Sequence, residues 1–454
     1  MKKIQQAVAA VLAAVMMLAL AACGTSDKTA KDSPAPSVSS SSATASASSE
    51  PANNGEKVKL RIYTGYSADD EKIPFDYAKK ALEEEMPNVE LELDIQAQDD
   101  NMKLKTYAAS GNLPDIFSAN TDVINVFRKS NNILQLDEYV NQFDFESKLL
   151  PSSKNLLYAD DQHIYGFPVS GNDLVLLYYN KELFEKYGVK VPTTFDELIA
   201  AAKVFNSNGI VPLSLFGKEK WITMALFDLI ATRYDTGGVK KLDELKGKAS
   251  DEAYAHAAAK MDELVKAGLL SKSAPLMNYD QAAGLFYEGK AAMFLNGSWE
   301  ITESTKKMGD KVDYMYYPSQ DAASYEKNKF ALSGSNSYGG FAVNPKTKDK
   351  ELAAKVAAFM ALKIAEGKVT LRGNPIVATK VTKAPENPLA PMFTRLNGEL
   401  SNITSTTAFS WSLSNAKIKV ALEDETQKLV AGGAAADFVK NIDKAIEVVE
   451  KEAK

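Results

Sequence analysis

Val58-Lys59-Leu60-Arg61-Ile62-Tyr63 alternates apolar and polar residues, and so does Val89-Glu90-Leu91-Glu92-Leu93-Asp94-Ile95. Alternation with period two marks a strand with one buried face. Between them, Ile73 to Glu85 has apolar residues at helical spacing and ends before Pro87, which predicts a helix. Met102 to Ser110 predicts another, closed by Gly111, and Leu113-Pro114-Asp115-Ile116-Phe117 predicts a short buried strand. The order β-α-β-α-β predicts an α/β lobe with a largely parallel sheet. In such sheets ligands bind beyond the carboxyl ends of the strands. A site is therefore expected in the loops after Tyr63, Ile95 and Phe117.

Upstream, Lys2 and Lys3 precede an apolar run from Ala7 to Ala22. A positive start, a short apolar core and small residues before a cleavage point make a secretory leader over 1–22. The run is too short and Ala-rich for a comfortable membrane span. Leu20-Ala21-Ala22-Cys23 resembles the lipobox of bacterial lipoproteins, in which the cysteine is lipidated and becomes the mature N-terminus. Cys23, the only cysteine, is the expected lipidation site. Two or more acyl chains there would satisfy the requirement for stable anchoring. Thr25 to Asn54 is almost wholly Ser, Ala, Thr, Pro, Lys and Asp, too polar to offset the entropy of ordering. Residues 23–56 are expected to be a lipid-anchored, disordered tether. The expected location is the extracellular face of the cell membrane, in a bacterium without an outer membrane.

The remaining body of about 400 residues exceeds one typical core, so two lobes are expected. The formal charge of −6 becomes −8 once Lys2 and Lys3 leave with the leader, which argues against nucleic acid as a partner. His163 and His256 are the only histidines, so a zinc site of His and Cys is nearly excluded, and no cofactor or metal is expected. No GxSxG, Walker A, GxGxxG or HExxH string occurs. A carboxylate pair for glycoside hydrolysis stays open, because Asp and Glu occur throughout.

Further along, Gln162 to Val169 and Asp173 to Tyr179 predict strands, and Asn180 to Gly188 a helix. Thr194 and Glu197 form a capping-box pattern. Helices are expected to dominate from there to about Gly268, followed by strands at Ala291 to Leu295, Val312 to Tyr317 and Gly339 to Val343. Lys350 to Ala365, Asn415 to Ala431 and Ala435 to Lys451 predict helices.

Several strings occur in a telling order: Tyr165-Gly166-Phe167-Pro168, Leu177 to Phe184 (LYYNKELF), Val191 to Leu198 (VPTTFDEL), Phe286 to Met293 (FYEGKAAM), Asn296-Gly297-Ser298-Trp299 and the closing Gly432-Gly433 to Asp443. Together they resemble the extracellular solute-binding proteins of ABC importers, family 1, the group that includes maltose-binding protein. The resemblance implies a two-lobed α/β fold of the type II periplasmic-binding-protein kind, with the ligand cleft between lobes joined by crossing strands. Crossings are expected near Pro168 to Asp173, Ala331 to Gly339 and Leu371 to Thr379. One lobe would then hold 57–168 and 338–372, and the other 169–337 and 373–454. The expected motion is hinge closure.

A sugar needs aromatic plates for its faces and amides or carboxylates for its hydroxyls. By match to the family's motifs, Trp299 of Asn-Gly-x-Trp and Trp411 of the late aromatic segment are expected to border the sugar, with Trp221 a weaker match. Polar candidates are Tyr66 past the first strand, Asn120 and Asp122 past the third, Asn172 or its neighbour Asp173 at the first crossing, and Tyr338. Asp115 is expected either to contact ligand or to brace its loop. The leading expectation is a monomeric, non-catalytic binding protein that captures a carbohydrate, an oligosaccharide rather than a single ring, and delivers it to an ABC permease. The alternatives are a surface glycosidase, a binding protein for a peptide or polyamine, and a sensor presenting its closed form.

Overall fold

The computed structural model describes residues 57–452 except Gln98 and Asp100. The leader, Cys23 and the tether lie outside the described residues. The strands in chain order are β1 (Val58–Thr64), β2 (Val89–Ile95), β3 (Ile116–Ala119), β4 (Val175–Asn180), β5 (Val211–Ser214), β6 (Ala291–Gly297), β7 (Val312–Met315), β8 (Ala331–Leu332), β9 (Gly340–Val343) and β10 (Ser405–Thr406). The helices used below are α1 (Asp69–Glu85), α2 (Met102–Ser110), α3 (Thr121–Lys129), α4 (Trp221–Ala231), α5 (Glu300–Met308), α6 (Lys350–Arg372), α7 (Ala416–Val430) and α8 (Ala435–Glu452).

The first sheet has the order β2-β1-β3-β9. β1 runs parallel to β2 and β3, and β9 returns antiparallel on β3. The alternation in β1 buries Leu60 and Ile62 against Phe75, Ala78 and Leu82 of α1 and Ala353, Ala357 and Ala361 of α6. The second sheet has the order β5-β6-β4-β7, with β5 parallel to β6 and β4 antiparallel to both β6 and β7. Its strands are buried on both faces, as the unbroken apolar run of β4 requires. α4, α7 and α8 pack into the same core through Phe227, Ile418, Leu422, Phe438 and Ile442. The two-lobed α/β fold thus has two four-stranded sheets with separate cores, and a short two-stranded one of β8 and β10.

The stretch as far as Gly268 is mostly helical, as expected, and also contains β5, which the sequence did not single out. Four residues between helices are too few for a clear period, and only pairing with β6 reveals the strand. α6 runs on to Arg372, past the expected end at Ala365, and Gly373 in the left-handed conformation stops it. Thr194 caps its helix with the reciprocal Glu197 bonds the sequence predicts.

Three extended segments run side by side near the junction of the sheets. Phe167 bridges Phe341, Ser170 bridges Val377 and Leu174 bridges Gly334, all antiparallel.

Candidate functional site

The site is built where β6 ends. Tyr178 donates its hydroxyl hydrogen to the Gly297 carbonyl at 2.8 Å, closing the strand's last acceptor. Asn296 donates Nδ2–H to Glu300 Oε2 at 2.9 Å. Glu300, at 1 % exposure, also accepts from Tyr279 (2.6 Å) and from Ser304 and Tyr287. Burial raises the Glu300 pKa against the lowering effect of these donors. Ser298 Oγ accepts from the Leu174 N–H and donates to Asp173 Oδ1 at 2.8 Å. Buried Asn296, Ser298 and Glu300 thus fix the chain on either side of Trp299, which sits just before α5. Gly297 is needed here: a Cβ on it would lie 2.3 Å from the Trp299 ring, which folds back over the backbone.

Two other segments bring aromatic rings to the same place. Trp221 opens α4. Phe409 and Trp411 follow β10, which pairs with β8, and Thr407 is tied to buried Asp228. The ring centroids of Trp221 and Trp411 are 5.2 Å apart, those of Trp221 and Trp299 5.8 Å, and those of Trp299 and Trp411 6.3 Å. Phe409 lies under Trp411 at 4.5 Å, the planes 9° from parallel. The three indoles are half-buried and Phe409 is buried, so the cluster, called the aromatic plate below, is three partly exposed rings tilted 42° to 68° to one another on a buried support. The sequence reading missed Phe409, although its i, i+2 spacing to Trp411 was a signal that both could share one side of an extended segment.

Around the plate stand polar groups. Trp411 donates its indole hydrogen to Asn336 Oδ1 at 3.3 Å. Asp173 is buried, and burial pushes its pKa up to about 6 despite Lys368 and the Ser298 hydrogen bond. Lys368 sits 3.5 Å from Asp70; burial pulls its pKa down, but Asp70, Asp173 and Glu71 together hold it above the usual lysine value. Glu219, beside Trp221, is raised chiefly by burial, and its Oε1 accepts from the Tyr279 N–H at 3.1 Å.

The other candidates have defined places. The Ser410–Ser412 turn lies against α3. At the start of α3, Asn120 caps the helix through Val123 N–H at 3.1 Å, and buried Asp122 pairs with Lys105 at 3.4 Å and Lys419 at 3.5 Å. Asn172 donates to the Ser152 carbonyl at 3.2 Å and accepts from Ser335 Oγ at 3.3 Å. Tyr66 packs edge-on to Phe75 and donates to Asp76. Tyr338 is 5 % exposed, and its hydroxyl is bound by Asn125 and Asp160 at 2.9 and 3.0 Å. Asp115 braces its loop, accepting from Arg61 N–H and Thr347 Oγ1. The tryptophans are therefore brought together, whereas Tyr66 and Tyr338 contact their own surroundings. Two shallow hollows, one between α7 and α8 and one beside Arg395, include no tryptophan. Indoles packed on one another make a surface rather than a hollow.

Among the described residues, no cluster of three His, Cys, Asp or Glu could hold a metal ion, and no helix is long and apolar enough to cross a membrane.

The family model for the bacterial extracellular solute-binding protein matches residues 68–366. The chain belongs to this family. This solute-binding protein is similar to an ABC transporter extracellular-binding protein of Pyrococcus horikoshii, with 26 % identity over 261 residues, covering 55 % of this chain and 58 % of the relative. It is also similar to the multiple sugar-binding protein of Streptococcus mutans, with 24 % identity over 334 residues, covering 69 % and 74 %. The match thus spans little more than half the length of the first of these relatives. A solved structure from work on xylan utilization by Caldanaerobius polysaccharolyticus superposes with a TM-score of 0.75 at 26 % identity, covering 85 % of this solute-binding protein and 99 % of that chain.

Proposed function

We propose that this solute-binding protein captures a carbohydrate, an oligosaccharide, on the plate of Trp221, Trp299 and Trp411, without catalysis, and delivers it to an ABC permease. The observation that carries the reading is the convergence of three sequence-distant, half-buried indoles on a Phe409 support. Flat apolar faces beside hydrogen-bonding groups suit a sugar, which has CH patches on its faces and hydroxyls on its rim. The multiple sugar-binding relative supports the same class. The proposed lobes are 57–168 with 338–372, and 169–337 with 373–454. They would close by bending where segments 167–174, 333–341 and 374–379 run together. Cys23 is the proposed lipid anchor and 23–56 the tether, placing the protein on the outer face of the cell membrane. The proposed partners are the sugar, the permease subunits and, through the anchor, the membrane.

A thermal-shift screen against mono- and oligosaccharides, with peptides and polyamines as controls, tests this reading. A ligand that binds only the folded state raises the melting temperature by mass action. The expected result is a dose-dependent rise with one family of oligosaccharides, lost in Trp299→Ala. A rise with a peptide or polyamine alone overturns the carbohydrate reading. Cleavage of the sugar during the assay overturns the non-catalytic one.

A further inference from the structure

The loop that carries Phe409 and Trp411 is hydrogen-bonded to one of the extended segments at the sheet junction. Ser337 N–H donates to Ser412 Oγ at 3.2 Å, Trp411 Nε1–H to Asn336 Oδ1 at 3.3 Å, and Phe409 N–H makes a long contact of 3.5 Å to the Ser335 carbonyl. Segment 335–337 is fastened in turn to segment 171–173. Asn336 Nδ2–H donates to the Gly171 carbonyl at 2.7 Å, Ser335 N–H to the Asp173 carbonyl at 2.9 Å, and Ser335 Oγ to Asn172. Gly171 N–H continues the series to the Ile376 carbonyl at 3.3 Å.

Asn336 is the one residue in this series whose side chain bonds both ways, with its amide nitrogen on the crossing backbone and its amide oxygen on an indole of the plate. Just before it, Gly334 has φ 103° and Ser335 φ 92°. The second is a sparsely populated conformation for a residue with a Cβ, and such strain persists only where the surroundings hold it. Hinges are short stretches that absorb large backbone rotations, often a few residues at the ends of elements. A permissive glycine and a strained serine followed at once by a side chain locked to the plate form a construction that transmits backbone rotation to Trp411.

We infer that Asn336 is a positioning residue that couples the crossing segment to the aromatic plate, so that bending at 334–335 turns or releases Trp411 and ties lobe closure to ligand retention. The inference rests on the carbohydrate reading only for its consequence in ligand retention. The mechanical link stands on the hydrogen bonds alone. In the bent state where Gly171 moves away from Asn336, the amide loses one anchor and Trp411 loses its fixed acceptor.

The test uses the protein labelled with 5-fluorotryptophan, whose three fluorine resonances are assigned by Trp→Phe variants. Without any ligand, Asn336→Ala is expected to move the Trp411 resonance more than those of Trp221 and Trp299. Asn336→Leu, similar in shape and lacking both hydrogen bonds, is expected to do the same and serves if Asn336→Ala does not fold. With the sugar found in the screen, Asn336→Ala is expected to weaken affinity about three- to tenfold, the range for one lost hydrogen bond, through faster dissociation. A Trp411 resonance unchanged in Asn336→Ala and Asn336→Leu overturns the inference. If no sugar binds the wild type, the functional reading falls, and the ligand-free spectrum still decides the link.

Discussion

Phe409 lies flat against Trp411, with centroids 4.5 Å apart and planes 9° from parallel, and only Trp411 reaches solvent. The inner ring therefore sets the height and tilt of the outer one. Phe409 is 1 % exposed, so Phe409→Ala removes a packed side chain and leaves a cavity. It should lower the unfolding free energy by about 3–5 kcal/mol. Phe409→Leu should cost under about 1.5 kcal/mol in the same urea titration, as a near volume-conserving exchange. Both should weaken sugar binding, because both remove the flat support. Full affinity in Phe409→Leu would show that Trp411 does not depend on that stack.

Gly297 offers a sharper probe, because it acts on the plate with little change to the core. An added Cβ would meet the Trp299 ring at 2.3 Å, so the indole must swing aside. Gly297→Ala should leave the fold intact by circular dichroism. It should reduce sugar affinity by calorimetry about three- to tenfold, the worth of one aromatic contact. Unchanged calorimetric affinity would place Trp299 outside the ligand's reach.

These residues also show what the sequence could and could not reveal. The parallel core of the first sheet was legible because β1, β2, α1 and α2 each carry a full period of pattern. Trp299 and Trp411 were legible as candidates because they fall in aromatic motifs that resemble the family's, and Trp221 less so. Their convergence was not, since it depends on β10 pairing with β8 across a long stretch of chain. Polar roles were least legible. Asp122 reads as a ligand contact beyond a strand end, yet it has two lysine partners, one of them on distant α7. Tyr338 sits among Ser, Gly and Asn and reads as loop, but it leads into β9, and its ring is buried with Phe117 and Val123. Asn336 carries no local signal at all, because its meaning comes from two partners far away in sequence.

The Asp122–Lys419 pair joins α3, packed on the first sheet, to α7 in the second core, with exposures of 5 % and 2 %. Buried pairs are costly to break one partner at a time. A double-mutant cycle with Asp122→Asn and Lys419→Met should give a coupling energy of roughly 1–3 kcal/mol in urea unfolding, attenuated because Lys105 also faces Asp122. Small-angle scattering should show Lys419→Met more expanded than wild type without ligand, since the contact holds the two helices together. Additive single effects with unchanged scattering would assign the pair no part in holding them.

Stability should also depend on pH through buried Asp173 and Asp228, which burial pushes up to about 6 each. In the unfolded chain both titrate near about 3.9. A carboxyl whose folded pKa is raised binds its proton more tightly when folded. Its charged form therefore penalises the native state fully above about pH 6, and the penalty fades as pH falls toward about 4. Asp69 acts in the opposite direction, held low chiefly by its hydrogen bond from Lys306, but its contribution is lost only below about pH 4. Between pH 7 and pH 4.5 the raised carboxyls govern, Glu219, Asp243 and Glu300 acting in the same direction as this pair. Asp173→Asn removes one titration while keeping an oxygen for the Ser298 hydroxyl. The stability of Asp173→Asn minus that of wild type should thus be larger at pH 7 than at pH 4.5, by roughly 2 kcal/mol. Urea titrations at the two pH values measure this, and a difference that does not change with pH would mean that Asp173 is not held as a raised, buried acid.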